Sequence, residues 1–355
     1  MTTDASSSPL QTLPDDVLRR LLAGVPRLDH GATAAACQAF RAVIKGSQFL
    51  GLRRRYGFAE SKIVLVGSRS AQPNNVIRSA CTDEIQASFT GGRLRPGNVS
   101  TTDGGARVFV CTDPILDGEA VWAVDVSSRE CSRFATLPLR RCFHCMEWYG
   151  GCLYVACGLC SHEGDIHSHQ PSSLDIFNEA TGVWEISPAP MPFPCVSAAS
   201  GVIGNQLFIV GGLHIQTEAE NGPLQPRHHR ELRIYDFTTR TWRLGAPLPR
   251  TMPNLECGVV ADGKLFAIRN DDQVMFVYEP QTNTWTEEEF PWDPHVGRAC
   301  SHNGRVVVFL KDGTSFERLA RDEWQPYDVV GEVGDIAHDA NTYPNTYVAE
   351  SVLLG

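Results

Sequence analysis

The pattern of apolar and polar positions divides the chain into a short helical segment and a longer region of short strands. Over residues 13–26 the apolar residues recur at the spacing of one helix face. These residues are Val17, Leu18, Leu21, Leu22 and Val25. A helix of this length is only marginally stable alone, so its apolar face must pack against another surface.

Two further helices are expected before the strands begin. Residues 32–44 have high helix propensity and stop before Gly46, while residues 47–57 carry apolar residues and finish in a run of arginines. Three helices of this size cannot enclose a large core of their own. The pattern therefore predicts a small three-helix domain over residues 11–57, preceded by a polar, disordered lead-in over residues 1–10.

From residue 61 onward, short β-rich runs alternate with glycine, proline and asparagine. A two-residue turn followed by an apolar strand occurs five times, at spacings of 41 to 58 residues. The five turns begin at Gly104, Gly150, Gly204, Asp262 and Asn303. Repeats of this length are typical of the blades of a β-propeller.

The end of each repeat supports the same fold. A tryptophan recurs in the last strand of four repeats, at Trp184, Trp242, Trp285 and Trp324, and Cys131 stands at the matching position of the first. Residues 62–67 look like one strand of an incomplete blade, and residues 347–354 form a strand without a partner. We predict a mainly β chain whose propeller, over residues 58–355, has six blades. We expect the C-terminal strand to close the propeller, because pairing these two strands would remove an exposed sheet edge.

Composition narrows the function classes. The formal charge of the 355-residue chain is -10, which argues against nucleic acid or an anionic membrane as a partner. No run approaches the ~18 apolar residues that a membrane span requires, and residues 1–8 do not form a secretion signal. The 12 cysteines then read as reduced thiols. We therefore expect a cytoplasmic or nuclear protein.

Two stretches carry a resemblance to known families. Val210-Gly211-Gly212 resembles the glycine pair of kelch repeats. Leu13-Pro14-Asp15-Asp16, with the apolar stripe behind it, resembles the opening of an F-box, although residues 36–41 depart from the F-box pattern. The order of the two motifs makes the whole chain similar to plant-type F-box/kelch proteins.

The resemblance implies a role in ubiquitination. An F-box binds a Skp-family linker of a cullin ubiquitin ligase, and the propeller of such a protein holds the target. By this resemblance the linker-binding residues would be Leu13, Pro14, Val17, Leu18, Leu21, Leu22, Val25 and Pro26. The chain would then be a non-catalytic adaptor with an unknown protein substrate. The alternative is a kelch scaffold outside any ligase, in which the helical segment merely caps the propeller.

Basic and histidine residues between the repeats are the candidates for target binding. They are Arg140, Arg141, His214, Arg227, His228, His229, Arg250 and Arg298. Arg140, Arg250 and Arg298 precede or begin the first strand of successive repeats, which predicts that they share one rim of the central channel. Alternatively, these side chains are solvated or form surface ion pairs.

A cysteine cluster suggests metal binding, but the repeats favour packing. Cys142-x-x-Cys145 and Cys157-x-x-Cys160 have the spacing of zinc ligands. In the repeat alignment, however, Cys145 falls where other blades have small residues, and Cys157 takes the place of Gly211. The chain also lacks GxGxxG, GxSxG and HExxH motifs. We therefore expect no metal, no cofactor and no catalytic site.

Overall fold

The structure is a computed structural model that divides the chain into two compact units. The first comprises Met1–Ser61 with Leu353–Gly355, and the second comprises Lys62–Val352. The structure describes residues 13–25, 29–46, 48–56, 60–68, 75–79, 87–89, 99–111, 120–126, 128, 130–162, 165–217, 224–251, 255–269, 274–291, 296–310, 314–327 and 347–354. The predicted lead-in over residues 1–10 lies outside these ranges. None of the described helices is long and apolar enough to cross a membrane.

The helical unit has one helix more than the sequence predicts. Its described helices are α1 (Asp15–Ala23), α2 (His30–Ala36), α3 (Gln38–Ile44) and α4 (Phe49–Arg55). The expected helix over residues 32–44 is split because Cys37 has extended backbone angles, with φ -157° and ψ 162°. Its Sγ accepts the backbone N–H of Phe40 at 3.4 Å, so the cysteine acts as the N-cap of α3.

A small core joins α1 to α4. Leu22, Ala23 and Phe49 are buried there and are surrounded by half-buried apolar residues of α1, α3 and α4. The buried guanidinium of Arg53 donates through Nη1 to the backbone carbonyls of Ala23, at 3.0 Å, and of Val25. This contact satisfies carbonyls that the end of α1 leaves without a helical partner.

Among the described residues, the strands form five antiparallel blades of four strands each, one further four-stranded sheet and a separate two-stranded hairpin. The first strands are β1 (Glu60–Ser68), β2 (Asn75–Ser79) and β3 (Ala87–Phe89). Blade 1 contains β4 (Val99–Thr102), β5 (Arg107–Cys111), β6 (Ala120–Asp125) and β7 (Glu130–Thr136). Blade 2 contains β8 (Arg141–Tyr149), β9 (Cys152–His162), β11 (Leu174–Asn178) and β12 (Val183–Ile186), with β10 (Asp165–His169) paired to β9.

The remaining blades follow the same order. Blade 3 contains β13 (Ala199–Ile203), β14 (Gln206–Val210), β17 (Leu232–Asp236) and β18 (Thr241–Leu244). A separate hairpin of β15 (Leu213–Thr217) and β16 (Leu224–His228) extends from it. Blade 4 contains β19 (Leu255–Ala261), β20 (Lys264–Arg269), β21 (Val274–Glu279) and β22 (Thr284–Glu289). Blade 5 contains β23 (Val296–His302), β24 (Arg305–Leu310), β25 (Ser315–Ala320) and β26 (Glu323–Pro326).

The first strands of blades 1 to 5 pack against one another in succession, which makes the fold a β-propeller. Apolar clusters fill the space between neighbouring blades: one joins Phe109 of blade 1 to Val155 of blade 2. Two of the recurrent tryptophans hydrogen-bond to the loop that connects their blade to the preceding one. Trp242 Nε1 donates to the carbonyl of Ala189 at 3.2 Å, and Trp285 Nε1 donates to that of Ala246 at 2.7 Å.

The further sheet has the strand order β27-β1-β2-β3, where β27 is Tyr347–Leu354. This is the order that closure by the C-terminal strand requires, because it places the last strand beside the first. Five blades are complete within single stretches of the chain. The count of six stays a prediction.

Candidate functional site

Helix α1 presents two apolar side chains to solvent. Val17 is 39% exposed and Leu21 is 53% exposed, whereas Leu13, Leu18 and Val25 are half-buried and Pro14 is exposed. Around them Arg19 pairs with Asp15 at 2.7 Å, and Arg20 lies over the ring of Tyr56. Two exposed aliphatic residues one turn apart form a surface that a partner can cover.

One residue of the predicted linker-binding set is corrected by the structure. Leu22 is only 4% exposed and packs in the core with Phe49, so it cannot offer its side chain to a partner. The reason is that the apolar stripe of α1 is wide. One side of it, with Leu22, packs into the core of the helical unit, and the other side is exposed. Pro26, another member of the set, lies outside the described residues.

Arg141 is also corrected: it is a structural residue rather than an exposed target-binding residue. Its side chain is buried because β8 directs it between the strands of blade 2, where it forms an ion pair with Asp175. Its Nη1 also donates to the carbonyl of Cys157 at 3.2 Å. An arginine in this position holds the irregular backbone at Cys157 within β9 and cannot contact a target.

Arg233 of β17 has a similar role in blade 3, and the sequence analysis missed it. It is fully buried, and it donates to the carbonyls of Pro192, at 2.9 Å, and Gly211, at 3.0 Å. The signal in the sequence was an arginine among the apolar residues of a predicted strand. Such a position indicates a buried charge, which has to be paired or hydrogen-bonded.

Residues with left-handed backbone angles lie within the second strand of blade 2 and directly after the second strand of blade 3. Gly158 and Gly212 have φ of 96° and 88°, and a Cβ at either residue would lie 2.8 Å from a backbone carbonyl oxygen. Cys157 and Gly211, which precede them, have φ of 66° and 69°. Cys157 therefore occupies the place of a kelch glycine, as the repeat alignment predicted.

The cysteines of this region form individual packing contacts. The Sγ of Cys145 donates to the carbonyl of Ala198 at 3.5 Å, and the Sγ atoms of Cys157 and Cys195 are 3.4 Å apart. The hydrogen bond with Cys157, together with burial, holds the pKa of the Cys195 thiol well above its ordinary value. Such thiols are poor nucleophiles. Among the residues that the structure describes, no group of three His, Cys, Asp or Glu side chains is arranged to hold a metal ion.

Two of the predicted histidines come together with one phenylalanine at the junction of blades 2 and 3. The rings of His214 and His229 are 5.7 Å apart, and that of Phe193 is 5.9 Å from His229. The carbonyl of Phe143 accepts the N–H of Ser197 at 3.1 Å, which brings β8 to the same place. We call Phe143, Phe193, His214, Arg227, His228 and His229 the Phe–His rim.

The polar contacts of the rim fix its imidazoles. His229 Nδ1 donates to a carboxylate oxygen of Glu231 at 2.9 Å, and His214 Nδ1 donates to the carbonyl of Pro194 at 3.1 Å. Burial, followed by the charge of Arg233, lowers the pKa of His229. Arg227 and His228 are exposed at the end of β16. His229 is therefore a neutral donor near pH 7 within a surface that also carries the exposed guanidinium of Arg227.

The other predicted arginines are distributed over different blades. Arg140 is exposed directly before β8, and Arg298 is half-buried within β23. Arg250 forms an exposed ion pair with Glu287 of β22 at 3.2 Å. Sequence reasoning also missed Phe143 and Phe193. The signal for Phe193 was its position between Pro192 and Pro194 in a loop before an inner strand.

Comparisons with known proteins agree with the fold and with the motif order. No family model matches the chain. Three F-box/kelch-repeat proteins of Arabidopsis thaliana are similar to it: one is 24% identical over 94% of this chain and 93% of the relative. The second is 22% identical over 86% and 69%, and the third is 24% identical over 79% and 72%. These relatives confirm the resemblance that the two motifs indicated.

A solved structure supports the fold alone. The structure of YjhT matches 61% of this chain and 72% of its own chain, with a TM-score of 0.50 and 14% sequence identity. The likeness extends to the propeller architecture and says nothing about a ligand or a partner.

Proposed function

We propose that this chain is the substrate-recognition adaptor of an SCF-type ubiquitin ligase. Helix α1 binds a Skp-family linker, the linker binds a cullin, and the propeller holds a protein target. The observation that supports this role most directly is the pair of exposed aliphatic side chains, Val17 and Leu21, on the helix that carries the Leu13-Pro14-Asp15-Asp16 motif.

The adaptor works by proximity rather than by chemistry. Holding the target near a ubiquitin-loaded enzyme raises the effective concentration of the target's lysines, and this requires no catalytic group in the adaptor itself. The relatives named above support a non-catalytic kelch-propeller protein of F-box type. In such a complex the chain would act in the cytoplasm or the nucleus.

The exposed apolar surface of α1 is large enough to contribute to a partner interface, but its burial energy exceeds the cost of association by little. Burying an exposed Val or Leu side chain contributes about 1.5–3 kcal/mol, and association itself costs several kcal/mol. Val17 and Leu21 therefore need neighbours such as Pro14 and Leu18 to complete a stable interface.

The test is recovery of the full-length chain from cells, followed by identification of the proteins that accompany it. A Skp-family linker and a cullin at near-equal amounts are expected. Recovery of the chain with neither of them would contradict the proposal.

A kelch scaffold outside any ligase is the second candidate, and one observation favours it. The stretch that departs from the F-box pattern contains Cys37, whose extended backbone splits the helix expected over residues 32–44. A scaffold would bring down its binding partner without linker or cullin in the same experiment.

A further inference from the structure

We propose that the Phe–His rim binds an extended peptide segment in which an aromatic or large aliphatic side chain is flanked by carboxylates. The inference rests on the proposed function, since it names the chemistry of the target at the propeller. It is drawn from three observations: strained aromatic residues, the backbone hydrogen bonds that connect their segments, and the exposed arginines nearby.

Both phenylalanines of the rim have a backbone conformation that bulky residues avoid. Phe143 has φ of 55° and Phe193 has φ of 53°, and their side chains are 39% and 46% exposed. Several other non-glycine residues with positive φ are Asp or Asn, which tolerate this region well. Strained residues of this kind are concentrated at ligand clamps. Because both side chains are also partly exposed, they are accessible to a ligand.

The strain at Phe193 is held in place from both sides. Phe193 precedes Pro194, which further disfavours a helical conformation. The carbonyl of Pro192 accepts Nε–H of Arg233 at 2.9 Å, and the carbonyl of Pro194 accepts Nδ1–H of His214 at 3.1 Å. A loop fixed in this way pays little ordering entropy when it binds a ligand.

Backbone hydrogen bonds between blades 2 and 3 connect the segments that carry the two aromatic residues. The hydrogen bond from Ser197 to the carbonyl of Phe143 connects β8 to the loop that carries Phe193. Backbone hydrogen bonds between Val196 and Leu213, at 2.9 and 2.8 Å, then connect that loop to β15. Aromatic and arginine side chains are enriched at the energetic centres of protein interfaces.

The exposed permanent charges at the rim and directly before β8 are positive, unlike the net charge of the whole chain. Arg140 and Arg227 are exposed, and Glu231 is the one carboxylate within residues 137–144, 189–198, 211–214 and 227–231. That carboxylate already accepts the ring N–H of His229 and the backbone N–H of Arg230, at 2.9 and 3.0 Å. Since the chain has a formal charge of -10, such a basic surface selects acidic partners and steers them to this site.

The experiment is selection from a random peptide library on the immobilised full-length chain, followed by anisotropy titration of fluorescein-labelled winners. The expected consensus has Phe, Tyr, Trp or Leu next to Asp or Glu. Binding should weaken as salt concentration rises, because the charged contacts are exposed.

Rim variants then test which residues bind. Phe143→Asn combined with Phe193→Asn should weaken binding at least tenfold, and asparagine is chosen because it tolerates positive φ and so preserves the loops. Arg227→Glu should weaken binding to a similar extent. The matched control is Ile186→Asn on β12, where the wild-type side chain is 68% exposed, and it should leave binding unchanged.

Several results would overturn the proposal: a basic or unbiased consensus, binding that ignores the rim variants, or no library peptide that binds the wild-type chain. Failure of the proposed adaptor role can be distinguished from failure of peptide binding at the rim. A chain that selects acidic peptides but recovers neither linker nor cullin from cells would keep the rim and refute the ligase assignment.

Discussion

Buried guanidinium groups hold the corresponding backbone carbonyl in blades 2 and 3, but they come from different strands. Arg141 reaches the carbonyl of Cys157 from β8, and Arg233 reaches the carbonyl of Gly211 from β17. In blade 2 the position that matches Arg233 is Asp175, which neutralises Arg141. An alignment of the repeats does not show that the buried arginine comes from a different strand in each blade. For this reason Arg141 was predicted to be a surface residue and Arg233 was not identified.

The ion pair of blade 2 gives a prediction about stability. Asp175→Asn leaves the buried charge of Arg141 without a counter-ion, and the free energy of unfolding should fall by about 3–5 kcal/mol. The measurement is urea denaturation followed by tryptophan fluorescence. Glu185→Gln is the matched control: its partner Arg240 is exposed, so the loss should stay below about 1 kcal/mol. Equal losses in the two variants would contradict a structural role for the buried pair.

A pH dependence follows from His144 on β8. Burial, followed by the charge of Arg141, lowers its pKa to about 3. In the unfolded chain this imidazole is therefore protonated near pH 6.5, whereas in the folded chain it stays neutral. The free energy of unfolding therefore falls as the pH drops below that value. For this one group the free energy of unfolding should fall by about 1 kcal/mol between pH 7 and pH 5.5.

Denaturation of His144→Leu at the two pH values measures that contribution. The variant should lose less stability on acidification than the wild type, because its side chain cannot be protonated in the unfolded chain. Met146→Leu, a buried change on the same strand, should alter stability by the same amount at both pH values. If His144→Leu keeps the full wild-type pH slope, the histidine is not the group that titrates.

At the scale of elements, substitutions on the exposed face and on the buried face of α1 should have different effects. Val17→Asp with Leu21→Asp places charges on the exposed face and should abolish co-purification of a Skp-family linker, with helical circular dichroism unchanged. Leu22→Asp should instead unfold the helical unit, because it buries a carboxylate against Phe49.

The same chemistry in the other unit provides the control. Val183→Asp with Ile186→Asp adds two charges to exposed positions of β12 and should leave the linker bound. Linker binding that survives Val17→Asp with Leu21→Asp would exclude α1 as the contact, even if the chain remained part of a ligase.

Repetition explains which elements the sequence could predict. Turns such as Asp262-Gly263 and Asn303-Gly304 need positive φ, and the indoles of two blades each donate to a loop carbonyl, so these features recur in the sequence. Cys37 and Phe193 occur once. The N-cap at Cys37 depends on the thiol reaching one N–H, and the strain at Phe193 depends on Arg233, 40 residues further along the chain. Neither arrangement leaves a periodic signal.

For the whole molecule, the central question is whether the C-terminal strand completes the propeller. In the sheet β27-β1-β2-β3 the last strand covers the edge of β1, and an uncovered edge would invite pairing with other chains. Deleting residues 347–355 should therefore lower Tm and promote aggregation; each kcal/mol lost from a domain of this size lowers Tm by about 2 °C. Differential scanning fluorimetry with light scattering measures both effects.

Complementation distinguishes strand loss from a general effect of truncation. A synthetic peptide of residues 347–354 should bind the truncated chain as its missing strand and raise Tm in proportion to the logarithm of its concentration, since a ligand of the folded state stabilises it by mass action. A scrambled peptide of the same composition should not, because the register between β27 and β1 depends on sequence order. A truncated chain with wild-type Tm, or rescue by the scrambled peptide, would refute closure through β27 and with it the six-blade count.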